Sequence, residues 1–411
     1  MKISVLNLGC KVNQAECSEI KAGLAASGHH ITDLSEKPDL CIINTCSVTA
    51  KSDYQSRQLI RRARRLGARV IVTGCYADLN RGAVLRMEGV ERVFANSEKS
   101  RIVGEIGESG AIGSPTPQLS GRSRFTLKVQ DGCNYSCSYC LIPKARGRSR
   151  SLSLDSIRRK VEELSLHYQE IVLTGIHLGT YGYDLLPQVT LSHLLKALLQ
   201  TPIGRIRLSS LEINEINDEL LEVLADERVC RHLHIPVQSG DDRILRLMQR
   251  RYDINRFVAA LARIREYLPD ISIGTDAIVG FPTEDPKDFE RSYRVIESLP
   301  FSYIHVFPFS VRPGTKASLF TPQVAEGEKR ERAALLSSLG IQKKRAFMDS
   351  QLGKILDPLL ETECDDHHLL GTTGNYLKVK VPLDPLHLKK TVSVRITGSS
   401  GGMLIGAPMN S

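Results

Sequence analysis

The sequence predicts an α/β protein: an N-terminal open parallel α/β domain, a central partial (β/α)6 barrel and a small C-terminal β-barrel. Three observations predict it. Short apolar runs alternate with helix-period stretches through the first hundred residues. Six more strand–helix units follow a stretch rich in Gly, Ser and Pro at 104–123. The last part of the chain, about 60 residues, breaks into short β-like pieces. A chain of 411 residues can fill more than one core. The units read as 1–103, a linker at 104–123, 124–345 and 346–411.

The elements follow in order. "ISVLNLGC" (3–10), "LCIINTC" (40–46) and "RVIVTGC" (69–75) are strand-like, each followed by a helix pattern, near 14–27, 50–66 and 80–88. Such a βαβ series implies a parallel sheet with helices on its faces. The second series has strands at "FTLKVQ" (125–130), "EIVLTG" (170–175), "RIRLSS" (205–210), "HLHIPV" (232–237), "SIGTDAIVG" (272–280) and "YIHVFPF" (303–309). Helix patterns lie between them at about 153–168, 190–200, 215–228, 241–268 and 284–298. The working face of such a barrel is at the carboxyl ends of its strands. A charged helix at 324–349 leads to "ILDPLLETE", "HHLLGTT", "YLKVKVP" and "TVSVRITG", and the final "GSSGGMLIGAPMNS" reads as a weakly ordered tail.

Hydrophobic residues make up 41% and charged residues 25%, the balance of a soluble globular protein. No apolar run is long enough to span a bilayer, and the first residues read as a strand rather than a signal peptide. A cytoplasmic protein with no membrane partner is the expectation. The net charge of +9 favours an anionic partner, nucleic acid being the usual one, with plain solubility as the alternative.

Ten cysteines in a reducing compartment suggest metal or redox chemistry where they cluster. The first three strands each end in a cysteine preceded by Gly9, Thr45 or Gly74. Ligands of open α/β sheets gather beyond the carboxyl ends of the strands, so Cys10, Cys46 and Cys75 are placed to share one edge. A cysteine there is otherwise a small buried hydrophobe. Cys17, Cys41, Cys230 and Cys364 read as structural, Cys41 pointing to the opposite face from Cys46 because their separation is odd. "VQDGCNYSCSYCLIPKARGRSRS" (129–151) holds Cys133, Cys137 and Cys140 at C-x3-C and C-x2-C spacing. A structural zinc takes four ligands, and no histidine lies between 133 and 160. An iron–sulfur cube on three thiolates, with one iron left open, fits better than zinc or a redox thiol set.

"CNYSCSYC" resembles the signature of radical S-adenosylmethionine enzymes. The resemblance implies that the open iron binds S-adenosylmethionine, whose reductive cleavage yields a 5′-deoxyadenosyl radical that abstracts hydrogen. It places Tyr139 near the adenine, and "LTG" (173–175) and "TDAIVGFPTE" (275–284) around the cofactor. The implied pocket residues are Tyr139, Thr174, Gly175, Glu212, Gln238 and Asp276. No general base stands out. His177, Glu212 and His234 are pocket candidates whose alternative is a structural or solvated role.

"LGCKVNQAE" (8–16), "INTCSVT" (43–49) and "VTGCYA" (72–77) resemble the three cysteine motifs of methylthiotransferases. That resemblance implies a second 4Fe–4S cluster on Cys10, Cys46 and Cys75, whose open iron carries the inserted sulfur. It also implies two molecules of S-adenosylmethionine, one as methyl donor and one as radical source. Two branches of this family act on adenosine 37 of tRNA, bearing an isopentenyl or a threonylcarbamoyl substituent. A third acts on a ribosomal protein. "GCKVN" (9–13), "TGIHLGTYG" (174–182) and residues 131–151 are most similar to the threonylcarbamoyl branch. A non-catalytic iron–sulfur RNA-binding regulator is the reading from a different class. Residues 351–398 resemble a TRAM domain, an RNA-binding β-barrel, and depart from it at the acidic "ECDDHHLL" (363–370). Lys144, Arg146, Arg148 and Arg150, with the basic helix pattern at 57–69, are the expected phosphate contacts. The alternative for these arginines is contact with S-adenosylmethionine or support of the loop. The expected partners are the tRNA anticodon stem-loop, a low-potential electron donor and a sulfur source.

Overall fold

Apolar runs in the first hundred residues form a five-stranded, wholly parallel sheet. In this computed structural model, which describes residues 1–107 and 123–409, the strands are β1 (Lys2–Asn7), β2 (His30–Ile31), β3 (Leu40–Thr45), β4 (Arg69–Gly74) and β5 (Val90–Val93). Their order is β2-β1-β3-β4-β5. Central β3 is buried along its whole length, as a parallel strand covered on both faces must be. Its register pairs Asn44 with Asn7 and Thr45 with Gly74, so the carboxyl ends of β1, β3 and β4 finish level. The helices that follow are α1 (Lys11–Ala26), α2 (Ala50–Arg65) and α3 (Cys75–Leu79). α1 begins earlier than its hydrophobic period suggests, with Cys10 as its N-cap, and α3 begins on Cys75 itself. The linker expected at 104–123 falls almost wholly outside the described residues.

All six strands expected in the second series are present: β6 (Arg124–Lys128), β7 (Glu170–Thr174), β8 (Arg205–Leu208), β9 (His232–His234), β10 (Ser272–Val279) and β11 (Tyr303–Pro308). They form two parallel three-stranded sheets, β8-β7-β6 and β9-β10-β11. A parallel bridge between Ile206 and Val229, and the Leu211 N–H donated to the His234 carbonyl at 2.9 Å, join them into one arc. The arc is open between β6 and β11, and α1 packs beside β6 at that seam. The helix expected at 241–268 is two helices, Asp242–Leu247 and Ile254–Tyr267. Gln249 turns the chain left-handed with φ 59°, and the Asp253 carboxylate caps the second helix by accepting from the Arg256 N–H. An apolar cluster that includes Leu127, Leu173, Phe257 and Ile273 fills the space between strands and helices.

The helix Glu326–Asp349 packs along β11 and leads to a six-stranded sheet: β12 (Ile355–Leu356), β13 (Leu359–Asp365), β14 (His368–Thr372), β15 (Lys378–Pro382), β16 (Val394–Ser400) and β17 (Met403–Pro408). Their order is β12-β16-β17-β15-β14-β13. The tail expected to be weakly ordered therefore supplies a central strand. β17 pairs with both β16 and β15, and its Leu404 is buried in the core of this module. Its alternation was masked by glycine and alanine, whose small side chains carry little hydrophobic signal. The module sits at the amino ends of β6–β8. Arg205 donates to the carbonyls of Asp357 (2.6 Å) and Thr372 (2.9 Å), and Arg207 to those of Thr373 (3.0 Å) and Gly374 (3.1 Å). Among the described residues no helix is long and apolar enough to cross a membrane.

Candidate active site

The loop after β6 is held by a short hairpin, Gln130–Asp131 against Arg150–Ser151. The Gln130 amide N–H group donates to the carbonyls of Asp131 (3.0 Å) and Gly132 (2.8 Å) and to Ser149 Oγ (2.9 Å). Its Oε1 accepts the His177 N–H at 2.8 Å. The loop so fixed presents three free thiols, each facing a nitrogen donor. The Tyr135 N–H lies 3.4 Å from Cys133 Sγ, Arg250 Nη1 3.5 Å from Cys137 Sγ, and the Ile142 N–H 3.4 Å from Cys140 Sγ. Such N–H···S contacts stabilise thiolates that ligate iron–sulfur clusters. Burial raises Cys137 with Arg250 opposing it, and pushes Cys140 up to about 12. Metal loading must therefore displace protons here. Among the described residues His234, Asp276 and His305 are the only three His, Cys, Asp or Glu side chains whose donor atoms all lie within 4.8 Å of one another. In neither cysteine triplet do all three sulfurs lie within 4.8 Å of one another.

The pocket residues expected from the sequence sit on the same end of the barrel. Thr174 ends β7 and is buried; Gly175 packs on Gln130. Tyr139 packs edge-on to Phe281, ring centroids 6.4 Å apart. Glu212 is ion-paired with buried Arg250. Gln238 adopts φ 62° and donates its N–H to the Asp276 carbonyl at 2.9 Å, while the Asp276 carboxylate lies 3.0 Å from His234 Nε2. His177 has Nδ1 3.4 Å from Cys133 Sγ and its other nitrogen against Glu215. Although burial opposes the charge, Cys133 and Glu215 raise the His177 imidazolium to about 10. Arg250 and Glu215 escaped the sequence reading. The sequence signal for Arg250 was the helix break beside it, hidden in a stretch read as continuous helix.

The other three thiols converge as their strand ends do. Gly9 has φ +103°, and a Cβ on it would lie 2.8 Å from Cys46 Sγ. Gly74 has φ +97°, and a Cβ there would meet the Thr45 carbonyl at 2.3 Å. Asn13 Nδ2 donates to the carbonyls of Leu8 (2.7 Å) and Thr45 (3.0 Å), tying the turn of Cys10 to that of Cys46. Burial raises Cys46 and Cys75, with Arg146 opposing it at Cys75. Cys10 is exposed and Cys46 and Cys75 are buried.

Arg146 does not face outward as expected of a phosphate contact. Its side chain is fully buried, with Nη1 2.9 Å from Glu16 and 2.8 Å from Asp131, and Nη2 against Asn13. The loop folds beneath the N-terminal domain, where Glu16 requires cationic partners. Burial raises the Glu16 carboxyl, but Lys99, Arg146 and Lys128 together hold it well below its usual range. Arg146 thus links the two thiol sets. Lys144, Arg148 and Arg150 remain exposed, Lys144 donating to the Gly314 carbonyl at 2.6 Å and Arg150 to the Arg146 carbonyl at 3.2 Å. α2 exposes Arg61, Arg62, Arg64 and Arg65, of which Arg64 pairs with Glu88. Cys17, Cys41 and Cys230 are buried, whereas Cys364 is exposed on β13.

Two family models match the chain: the radical SAM superfamily over 127–296 and the uncharacterised family UPF0004 over 2–95. The chain is 37% identical to a threonylcarbamoyladenosine tRNA methylthiotransferase MtaB of Aquifex aeolicus, covering 92% of this chain and 96% of that protein. It is 35% identical to the Bacillus subtilis protein of the same name, covering 95% and 92%. It is 30% identical to a tRNA-2-methylthio-N(6)-dimethylallyladenosine synthase of Acetivibrio thermocellus, covering 96% and 88%. Among solved structures, the radical S-adenosylmethionine methyltransferase TsrM of Kitasatospora setae superposes with a TM-score of 0.56 at 16% identity, covering 77% of each chain.

Proposed function

We propose, given that this chain belongs to the radical S-adenosylmethionine methylthiotransferase family, that it places a methylthio group on carbon 2 of N6-threonylcarbamoyladenosine at position 37 of tRNA. The observation that carries the reading is two separate three-thiol sets in one chain that matches proteins of that named activity along nearly its full length. Cys133, Cys137 and Cys140 would hold one 4Fe–4S cluster and Cys10, Cys46 and Cys75 a second. When bound, these clusters and S-adenosylmethionine supply hydrogen abstraction and sulfur transfer. The chain's own residues do the holding. Gln130 fixes the cysteine loop, and Arg250 braces Cys137 while it is itself held by Glu212. Tyr139, Thr174, Gly175, Gln238 and Asp276 form the wall on which S-adenosylmethionine would lie. Lys144, Arg148 and Arg150 would position the anticodon stem-loop through its phosphates. The reaction draws on a low-potential electron donor and a sulfur source.

Anaerobic reconstitution tests this. Two clusters need about eight irons per chain. With reductant, S-adenosylmethionine and tRNA bearing N6-threonylcarbamoyladenosine, mass spectrometry of digested nucleosides should show the methylthio product. Cys137→Ala should abolish it together with S-adenosylmethionine cleavage. Iron for a single cluster, or product only on isopentenyl-bearing tRNA, would sink the reading.

A further inference from the structure

Resting on that reading, we propose that the cavity beside Cys10 is a carboxylate-binding pocket for the threonyl end of the substrate nucleoside, with Lys11 as its counter-ion. The cavity, about 950 Å³, lies at the open seam of the barrel, bounded by α1, β6, β11, the helix Glu326–Asp349 and the C-terminal module. Its charge is one-sided: Lys11, Arg124, Arg207, Lys344 and Lys378 line it against the single carboxylate of Glu361. Most of these cations are already engaged. Arg207 is held by Glu170 and two backbone carbonyls, and Arg124 and Lys378 by Glu361.

Lys11 is different. Among the described residues it has no carboxylate in ion-pair reach, and the ring of Tyr376, 5.6 Å from Nζ, is its aromatic neighbour. It occupies the first turn of α1, where the positive end of the helix dipole disfavours a cation. The helix gains nothing from a lysine there, whereas an anionic ligand would. Lys11 also follows Cys10 directly, so the wall of this cavity adjoins the turn that carries one ligand of the proposed sulfur-carrying cluster. The substituent of N6-threonylcarbamoyladenosine offers one carboxylate, one hydroxyl and a ureido group. The hydroxyls of Thr126 and Tyr303 and the ring of His305 give the same cavity neutral polar partners. An isopentenyl substituent would bring no charge and leave the ammonium buried and unpaired, the kind of mismatch that discriminates strongly between ligands.

A tRNA phosphate is the other anion that could meet these cations, and the experiment separates the two. Synthetic anticodon stem-loops carrying either the threonyl carboxylate or its carboxamide are compared, with binding read by fluorescence anisotropy and product by mass spectrometry. The wild-type protein should favour the acid by about tenfold or more, the scale of a lost charge pair. Lys11→Met should bring the acid to the level of the amide and leave the amide nearly unchanged, and Lys11→Arg should retain part of the preference. Equal wild-type binding of acid and amide overturns the proposal. So does equal weakening by Lys11→Met of acid, amide and unmodified stem-loops, which marks a phosphate contact. Iron content checks that the variant is loaded, and the wild-type comparison stands without it. Wild-type binding that favours the acid while no product forms would instead overturn the proposed activity.

Discussion

Glu170 shows how much one residue can carry at the barrel's amino end. Its carboxylate is fully buried, 2.8 Å from Arg207 Nε and 2.5 Å from Arg205 Nε, and those arginines in turn hold the C-terminal module. Burial works to raise its pKa, yet Arg207 and Arg205 bring it down to about 2. A carboxyl depressed in the folded state stabilises above its unfolded value of 4.5, and that contribution is lost as pH falls from there towards 2. The shift corresponds to about 3 kcal/mol. Urea denaturation of the apo-protein should therefore show a loss of that order between those pH values. Glu170→Gln should flatten this acid limb and, by leaving buried arginines uncompensated, destabilise the protein at neutral pH by about 3–5 kcal/mol. An unchanged acid limb in the variant would count against the assignment. At this scale the sequence was readable where chemistry is local. The thiols of 133, 137 and 140 announce themselves by spacing. Arg146 was misread because a run of basic residues carries no record of which one folds inward. Arg250 was obscure, and His177, a pocket candidate, gave no sign of its partner, because the sulfurs they face lie 113 and 44 residues away along the chain.

Elements were more legible than their joins. Nine expected strands of the two α/β units stand where apolar runs placed them, since a buried parallel strand is a continuous hydrophobic run. β5 was not visible: its "VERV" carries two charges and pairs only at the sheet edge. The break between Leu247 and Ile254 depends on one left-handed residue and one cap, which no periodicity reports. The turn from β1 into α1 illustrates how an element end builds a site. Gly9→Ala must move Cys46 Sγ or the backbone, because the added Cβ would fall 2.8 Å from that sulfur and φ +103° is strained for alanine. The variant should lose iron from the N-terminal set only, dropping from about eight irons to about four, and should still cleave S-adenosylmethionine. Full iron content in Gly9→Ala would show that the turn is not needed to gather the thiols.

On the scale of the whole molecule, how the parts of the chain are placed on one another was not legible in the sequence. The basic residues that remain exposed after the cysteine loop lie at the carboxyl ends of the barrel strands, whereas the C-terminal module is seated at the amino ends. The N-terminal sheet is clamped to the barrel from two sides, by Arg146 on Glu16 and by Arg312, whose Nη2 lies 2.7 Å from Asp53 and 2.8 Å from Ser47 Oγ. Both clamps join side chains more than a hundred positions apart, beyond any local pattern.

Uneven access to the thiols turns chemical labelling into a census of cluster occupancy. Cys10 and Cys364 are exposed, the three barrel thiols half-buried, and Cys46, Cys75, Cys17, Cys41 and Cys230 buried. Brief iodoacetamide treatment of the apo-protein should tag Cys10 and Cys364 first, followed by Cys133, Cys137 and Cys140. If both proposed clusters are in place, Cys364 should remain as the one rapidly tagged position, and Cys10 should fall silent with the second cluster. A loaded protein in which Cys10 still reacts at the apo rate would mean that this thiol holds no iron. The same asymmetry marks Cys10 as the corner at which aerobic damage would enter.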